Sequence, residues 1–155
     1  MPEPDVESRL AHLEAKEELR AFIAAYCAAC DSMSGDAVAA LFTADAVLRN
    51  AAGDHTGRDA IRAYYAAFFA AGVTFSRHHA VNQVFTLLEP DLARHEAYFI
   101  AMTGSGGQSR IAFGRYDDTL VREDGRWLFR DKRNDVAGAT TLHAGWADGF
   151  APPLA

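Results

Sequence analysis

The sequence contains 155 residues, of which 21 are acidic, 15 are basic and 50% are hydrophobic. This length supports one domain with a core of its own, and we treat residues 1–155 as that single domain. The acidic balance argues against a nucleic-acid surface or an anionic-membrane surface. No run approaches the roughly 20 apolar residues of a membrane span. The N-terminus lacks the basic and apolar parts of a signal peptide, so we expect a cytoplasmic protein.

The N-terminal half of the chain has helical periodicity. Apolar residues recur at three- and four-residue steps from Leu19 to Cys30, which predicts an amphipathic first helix with one buried face. Asp31 ends that pattern. The following segments predict a short second helix that buries Val38, Leu41 and Phe42, a short strand over 46–49, a turn over 50–57, and a third helix that begins at Gly57.

Aromatic and β-branched residues dominate the chain after Gly72. Four strands are predicted over 73–88, 93–103, 110–122 and 126–135, with turn residues between them. Three helices followed by a four-stranded antiparallel meander predict an α+β fold, in which the helices cover one face of a curved sheet around a cavity. The core then spans 9–135, and we expect the tail over 136–155 to cover its own pocket or a neighbouring subunit.

Cys27 and Cys30 form a CxxC pair, but they follow a long helical pattern rather than opening a helix. A redox pair needs the helix N-terminus, where the dipole lowers the thiol pKa. A zinc site needs a second pair of ligands, and the sequence has none at a suitable spacing. We interpret the two cysteines as packing residues, and no motif predicts a metal or another cofactor.

Asp31 and His78 are the residues that we single out for chemistry. A carboxylate that orients an imidazole makes a general base that works near neutral pH. Side chains alternate along a strand, so His78 and Asn82 are predicted to share one face while His79 occupies the other. Neighbouring histidines on opposite faces do not easily ligate one metal. The alternative for His78 is a core histidine that is hydrogen-bonded to the backbone, and the alternative for Asp31 is a polar residue that ends a helix.

Tyr26 and Arg133 are the weaker candidates. An aromatic residue on an apolar helix face is usually a core residue, and an ideal helix separates Tyr26 from Asp31 by about 140°. Both could still border one cavity, where a phenol with a pKa near about 10 stays protonated at neutral pH and donates a hydrogen bond. Arg133, like Arg130 and Lys132, is most simply a solvated residue at a strand end.

Motifs spread over residues 9–133 resemble the SnoaL-like branch of the NTF2-like superfamily, whose fold is a cone-shaped (cystatin-like) α+β barrel. The order and spacing of the motifs together carry the resemblance. They are Tyr26-x4-Asp31, Gly35-Asp36-x4-Leu41-Phe42-Thr-Ala-Asp45-Ala, Gly57-Arg-Asp-Ala-Ile61, Arg77-His78-x3-Asn82, Gly114-Arg-Tyr116-Asp and Asp124-Gly-Arg-Trp127.

The resemblance implies roles for individual residues. The family includes scytalone dehydratase, bile-acid 7α-dehydratase and hexachlorocyclohexane dehydrochlorinase, lyases in which an Asp of the first helix pairs with a His of the first long strand. By position these two residues match Asp31 and His78. Tyr26 matches a tyrosine of the bile-acid dehydratase arrangement, and Arg133 matches a basic residue at the end of the last strand.

These matches imply a cofactor-independent lyase that acts on a small, hydrophobic, cyclic molecule. Asp31, His78 and Tyr26 would be catalytic, and Asn82 and Arg133 would position polar substituents. An isomerase or cyclase of a polyketide or steroid is one alternative, and a non-catalytic ligand-binding protein is another. The resemblance also suggests a homo-oligomer, a trimer rather than a dimer, which agrees with strands that are hydrophobic on both faces.

Overall fold

The computed structural model describes residues 5–143 and has the predicted α+β architecture. Three helices and two strands precede the large antiparallel part of the sheet. In chain order the elements are α1 (Val6–Asp31), α2 (Gly35–Ala39), β1 (Phe42–Asn50), β2 (Gly53–Thr56), α3 (Arg58–Ala70), β3 (Val73–Glu89), β4 (Leu92–Ser105), β5 (Gln108–Glu123) and β6 (Arg126–Thr141).

The sheet has six strands in the order β2-β1-β6-β5-β4-β3 and is curved but not closed. All neighbouring strands are antiparallel except β1 and β6, which run parallel. The meander of β3 to β6 was predicted, but the start of β1 was not, and β2 lies in the segment 50–57 that was predicted as a turn. Phe42, predicted in the second helix, instead opens β1 and pairs with Phe129 of β6. A short apolar run fits a helix or a strand equally well, and the partner strand decides between them.

The last strand is longer than predicted. We expected it to end at Asp135, but it continues to Thr141, which pairs with Arg110 of β5. The added residues are rich in alanine and glycine, which have little strand propensity of their own. Their conformation therefore depends on the ladder that the neighbouring strand offers.

Bulges bend the sheet and change which residues face inward. Asn82 and Gln83 of β3 together oppose one residue of β4, and Arg130 of β6 has no partner in β5. Each extra residue shifts the inward and outward alternation by one position and increases the local twist. After the bulge at Arg130, the inward residue is Lys132, and Arg133 faces out.

Helix α1 packs across the inner face of the sheet and forms the centre of the core. Leu19, Ile23, Tyr26 and Cys30 are buried there, and the ring of Tyr26 lies edge-on to that of Phe129. The predicted packing role of the cysteines is confirmed. Cys30 belongs to the core cluster and Cys27 packs against it, both as free thiols. Burial raises the pKa of the Cys30 thiol to about 12.

A row of ionisable side chains crosses the core, and the sequence did not predict it. His95, Asp118 and Lys132 face one another on neighbouring strands and are fully buried. The Lys132 ammonium donates to Asp118 at 3.2 Å, and His95 Nδ1 donates to the same carboxylate at 2.9 Å. The Lys132 Nζ also lies 3.6 Å from the centre of the Tyr116 ring. Lys132 is therefore an internal cation, not the solvated strand end that we expected.

The outer face of the sheet carries exposed apolar side chains. Phe75, Val81, Val84 and Leu88 of β3 are exposed there, as is Tyr98 of β4. Exposed apolar surface of this kind is common at contacts between subunits, and the homo-oligomer stays a prediction. Within residues 5–143, no helix is long and apolar enough to cross a membrane.

Replacing Lys132 by methionine should lower the free energy of unfolding by about 3–5 kcal/mol, because Asp118 would keep a buried charge without its cation. Urea denaturation of the purified variant measures this loss. Arg130→Met is the matched control, since Arg130 is exposed in the bulge two residues away and its loss should change stability by less than about 0.5 kcal/mol. Equal stabilities for the two variants would contradict the importance of the internal ion pair.

Candidate active site

Asp31 is the last residue of α1, and the end of that helix fixes its position. The Ser32 hydroxyl donates to the Ala29 carbonyl at 2.7 Å, and the Ser32 N–H donates to the Ala28 carbonyl at 2.9 Å. Met33 then adopts a positive φ of 55°, which turns the chain away from the helix axis. The carboxylate is thereby held at the edge of the sheet, beside β3.

The carboxylate of Asp31 meets the imidazole of His78. Asp31 Oδ1 and His78 Nδ1 are 3.0 Å apart, and both side chains are largely buried, with 21% and 16% of their surfaces exposed. An ionised carboxylate only accepts hydrogen bonds, so Nδ1 carries the proton and Nε2 is the unprotonated nitrogen of the neutral ring. The expectation that these two residues come together is confirmed.

Two further effects act on His78. Burial lowers the pKa of the imidazole, and the hydrogen bond to Asp31 opposes that shift only in part. The hydroxyl of the buried Ser76 lies 3.2 Å from His78 Nδ1 and adds a second polar contact on the side that faces Asp31. The imidazole of His78 is therefore neutral at neutral pH, and two neighbours contact one of its nitrogens.

An inner cavity of about 410 Å³ lies beside His78. Its floor is a row of small side chains, because Ala101, Ala112 and Ala139 are in register with His78 across four strands. The C-terminal end of α3, the first residue of β3, the end of β4 and the start of β5 form the rest of the wall. The remaining lining residues are Phe68, Ala71, Val73, Thr103, Ser105, Arg110 and Ile111. A cavity of this size accommodates a small organic molecule.

A second opening reaches the pair from the other side. It is a groove of about 400 Å³ between α1 and β3, and both Asp31 and His78 line it. Asp31 does not line the inner cavity, whereas His78 lines both spaces. The imidazole thus lies between the carboxylate and the inner cavity, so that Asp31 can orient the ring without contacting a molecule in that cavity.

Tyr26 is buried in the core and lines neither of these spaces. Its hydroxyl lies 2.8 Å from that of Tyr65 on α3, and its ring packs against the Lys132 ammonium at 4.3 Å. Burial raises the pKa of the phenol well above its usual value. We expected Tyr26 to border the same cavity as Asp31, but the structure places it with the packing residues between α1 and the sheet.

Asn82 does not share the inward face of His78, so that prediction is wrong. It is exposed, has a positive φ of 54° and forms part of the bulge in β3. Alternation along the strand holds from His78 to Ala80 and is then shifted by the extra residue. Gln83, the other residue of the bulge, lines the groove between α1 and β3 instead.

Arg133 is exposed and lies apart from the Asp31–His78 pair. It lines a separate cleft of about 620 Å³, where β1 ends beside β6, together with Arg49 and Arg115. This cleft is larger than the inner cavity, but neither Asp31 nor His78 lines it. The bulge at Arg130 explains the difference, because it turns Lys132 rather than Arg133 toward the core.

Comparison with known proteins identifies the family. The SnoaL-like domain family matches residues 11–133, which is most of the chain. The chain belongs to the SnoaL-like family. No curated protein sequence matches it significantly.

Solved structures share the fold of this SnoaL-like protein. A protein provisionally assigned as scytalone dehydratase from Novosphingobium aromaticivorans has a TM-score of 0.80 at 22% identity, with 93% of this chain and 95% of that chain covered. A hexachlorocyclohexane dehydrochlorinase, LinA-type3 from Novosphingobium barchaimii, has a TM-score of 0.77 at 17% identity, with 94% and 99% covered. A protein provisionally assigned as an aromatic ring hydroxylase from Novosphingobium aromaticivorans has a TM-score of 0.73 at 26% identity, with 92% and 98% covered.

Sequence reasoning missed two polar residues near the base of this SnoaL-like protein. Ser76 lies two positions before His78, so strand alternation could have placed it on the same face. Arg110 lines the inner cavity from β5, and only the register of β3, β4 and β5 brings it to that side. Among residues 5–143, no three His, Cys, Asp or Glu side chains come together as a metal site.

Replacing Tyr26 by phenylalanine tests whether the phenol takes part in chemistry. The Tyr65 hydroxyl would lose one partner, so the free energy of unfolding should fall by about 0.5–1.5 kcal/mol. Turnover should change less than about tenfold, because the phenol does not line the cavity. Urea denaturation and a turnover assay measure the two effects. A fall in kcat of about 10²-fold or more in a stable variant would instead show that the phenol acts on the substrate.

Proposed function

We propose that this SnoaL-like protein is a cofactor-independent lyase that removes water or a hydrogen halide from a small, hydrophobic, cyclic molecule. The observation that carries the proposal is the 3.0 Å contact between Asp31 and His78 beside a cavity with a floor of alanines. Two structural neighbours support it, since one is provisionally assigned as a dehydratase and the other is a dehydrochlorinase, and both names belong to this reaction class.

The elimination begins at the unprotonated nitrogen of His78. Nε2 takes a proton from a carbon of the substrate, and the electrons of that C–H bond form the new C=C bond. The leaving group departs from the neighbouring carbon with the electrons of its own bond. Asp31 keeps the Nδ1 proton in place and stabilises the imidazolium that forms. The apolar wall of the cavity excludes water and strengthens this electrostatic effect.

Proton abstraction without loss of a group is the second candidate. The polar lining of the inner cavity, apart from His78, consists of Thr103, Ser105 and Arg110, and none of these is a carboxylic acid or a phenol. Within residues 5–143, the cavity therefore has a base but no acidic side chain that would protonate a leaving group. Such a base is also suited to enolise a ketone, as an isomerase or cyclase does. The mass of the product separates the two reactions, because only elimination changes it.

His78→Ala and Asp31→Asn should each lower the elimination rate by about 10²–10⁴-fold, since the first removes the base and the second removes its orientation. The assay follows release of chloride from hexachlorocyclohexane and loss of water from cyclic β-hydroxy ketones, with product masses recorded. Deuterium exchange at the α-carbon of the ketones reports enolisation. His79→Ala is the matched control, because His79 is exposed on the opposite face of β3. Unchanged rates in the His78 and Asp31 variants would refute the assignment.

The pH dependence follows from the state of His78. Burial lowers the pKa of its imidazole below the ordinary value of 6.5, so the ring stays unprotonated at neutral pH and becomes protonated only in more acidic solution. A profile of kcat/KM should therefore be flat near pH 7 and fall to half at a pH below about 6.5. An activity that declines as pH rises through this range would contradict a neutral base.

A further inference from the structure

Arg110 is a cation at the mouth of the cavity that His78 lines. It stands on β5, two residues before Ala112, and therefore on the same inward face as the alanine floor. The register joins it to Thr103 of β4, and through Thr103 to Ser76 of β3. Arg110 and Thr103 thus line the cavity in a polar row, one two-residue step along the strands from the row that contains His78, and this row ends at the buried Ser76.

The guanidinium of Arg110 has no carboxylate partner among residues 5–143. Arg49 and Arg94 of the same sheet show the contrast, since Arg49 pairs with Asp131 and Arg94 pairs with Asp117. None of the residues that line the inner cavity is acidic. The protein as a whole carries a formal net charge of −6, so a cation without a carboxylate partner in the described part of the chain is a local exception to its acidic character.

The separation between Arg110 and His78 sets the size of a ligand that contacts both. Two strand spacings across the sheet and one two-residue step along it give a Cα separation of about 12 Å. Both residues line the cavity between them, and the alanine row keeps that space open. A ligand of one or two rings with a substituent at one end spans the gap that remains between the guanidinium of Arg110 and the imidazole of His78. The cavity of about 410 Å³ holds a molecule of that size.

We propose that Arg110 determines substrate specificity by binding a carboxylate on the substrate, with the rings lying on Ala101, Ala112 and Ala139 beside His78. A guanidinium binds a carboxylate through two parallel hydrogen bonds, which fixes the orientation of the ligand as well as its position. The substrate class is then a cyclic carboxylic acid. This inference rests on the proposed function of the same cavity, but it concerns binding and is tested apart from turnover.

The test compares two probes of equal shape, 1-naphthoate and naphthalene-1-carboxamide, by calorimetry and ligand-observed NMR on the full chain. The carboxylate should bind the wild type more tightly than the amide. Arg110→Gln should weaken binding of the carboxylate by about tenfold to a hundredfold and leave binding of the amide unchanged. Arg110→Lys should retain part of the preference, because it keeps the charge without the planar fork.

Two controls separate this proposal from its alternatives. Arg115→Gln removes a cation from the outward face of the same strand, where its guanidinium lies 5.7 Å from the centre of the Tyr98 ring, and it should bind both probes as the wild type does. His78→Ala should lose turnover and keep the preference for the carboxylate. If that preference persists while no elimination is found in the wild type, the proposed function fails and the role of Arg110 stands.

Four results would overturn the role of Arg110. One is equal affinity of the wild type for the two probes, and another is failure of both probes to bind. The third is a preference for the carboxylate that survives Arg110→Gln, and the fourth is loss of that preference in Arg115→Gln. Thermal denaturation of each variant ensures that a loss of binding reflects the side chain, and an exposed residue such as Arg110 should tolerate the change.

Discussion

The packing of α1 against the inner face of the curved sheet is the constraint on which the rest of the molecule depends. The buried apolar residues of that helix, from Leu19 to Cys30, pack against the inner face of the sheet and anchor the last turn of the helix beside β3. Because the helix is rigid and ends at Asp31, the position of the carboxylate is fixed by contacts made several turns earlier. The pairing of Asp31 with His78 is thus a consequence of core packing rather than of a flexible loop.

The space on the inner face of the curved sheet has a filled end and an open end. Near the filled end, large rings and the buried Lys132–Asp118–His95 row occupy the space under α1. Toward the open end, the row of side chains that contains His78 consists otherwise of three alanines. The next row contains the polar residues Ser76, Thr103 and Arg110. Close-packed interiors leave few voids larger than a water molecule, so the space above the alanines is an opening built by side-chain size.

Electrostatics at the site follow from this division. His78 lies where burial favours the neutral ring, and Asp31 lies behind it, away from the inner cavity. The cation of Arg110 stands at the opposite side of the same cavity, close to water. A ligand held between them would meet a neutral base at one end and a positive charge at the other, which is an arrangement suited to an anionic molecule with an apolar body.

The sequence by itself determined the α+β class, the helical face of α1, the long antiparallel strands and the pair formed by Asp31 and His78. The first three follow from local periodicity, and the pairing of Asp31 with His78 was implied by the motifs that resemble the SnoaL-like family. Strand alternation also separated His78 from His79 correctly, because no bulge lies between them.

Only the tertiary structure decided the positions that depend on pairing between strands. The bulges at Asn82 and Arg130 moved Asn82 and Arg133 away from the base and brought Lys132 into the core, since one extra residue reverses the alternation beyond it. The same register aligned Ala101, Ala112 and Ala139 with His78 and placed Arg110 at the mouth. A periodic pattern describes one strand at a time, whereas a cavity is made by the rows that cross several strands.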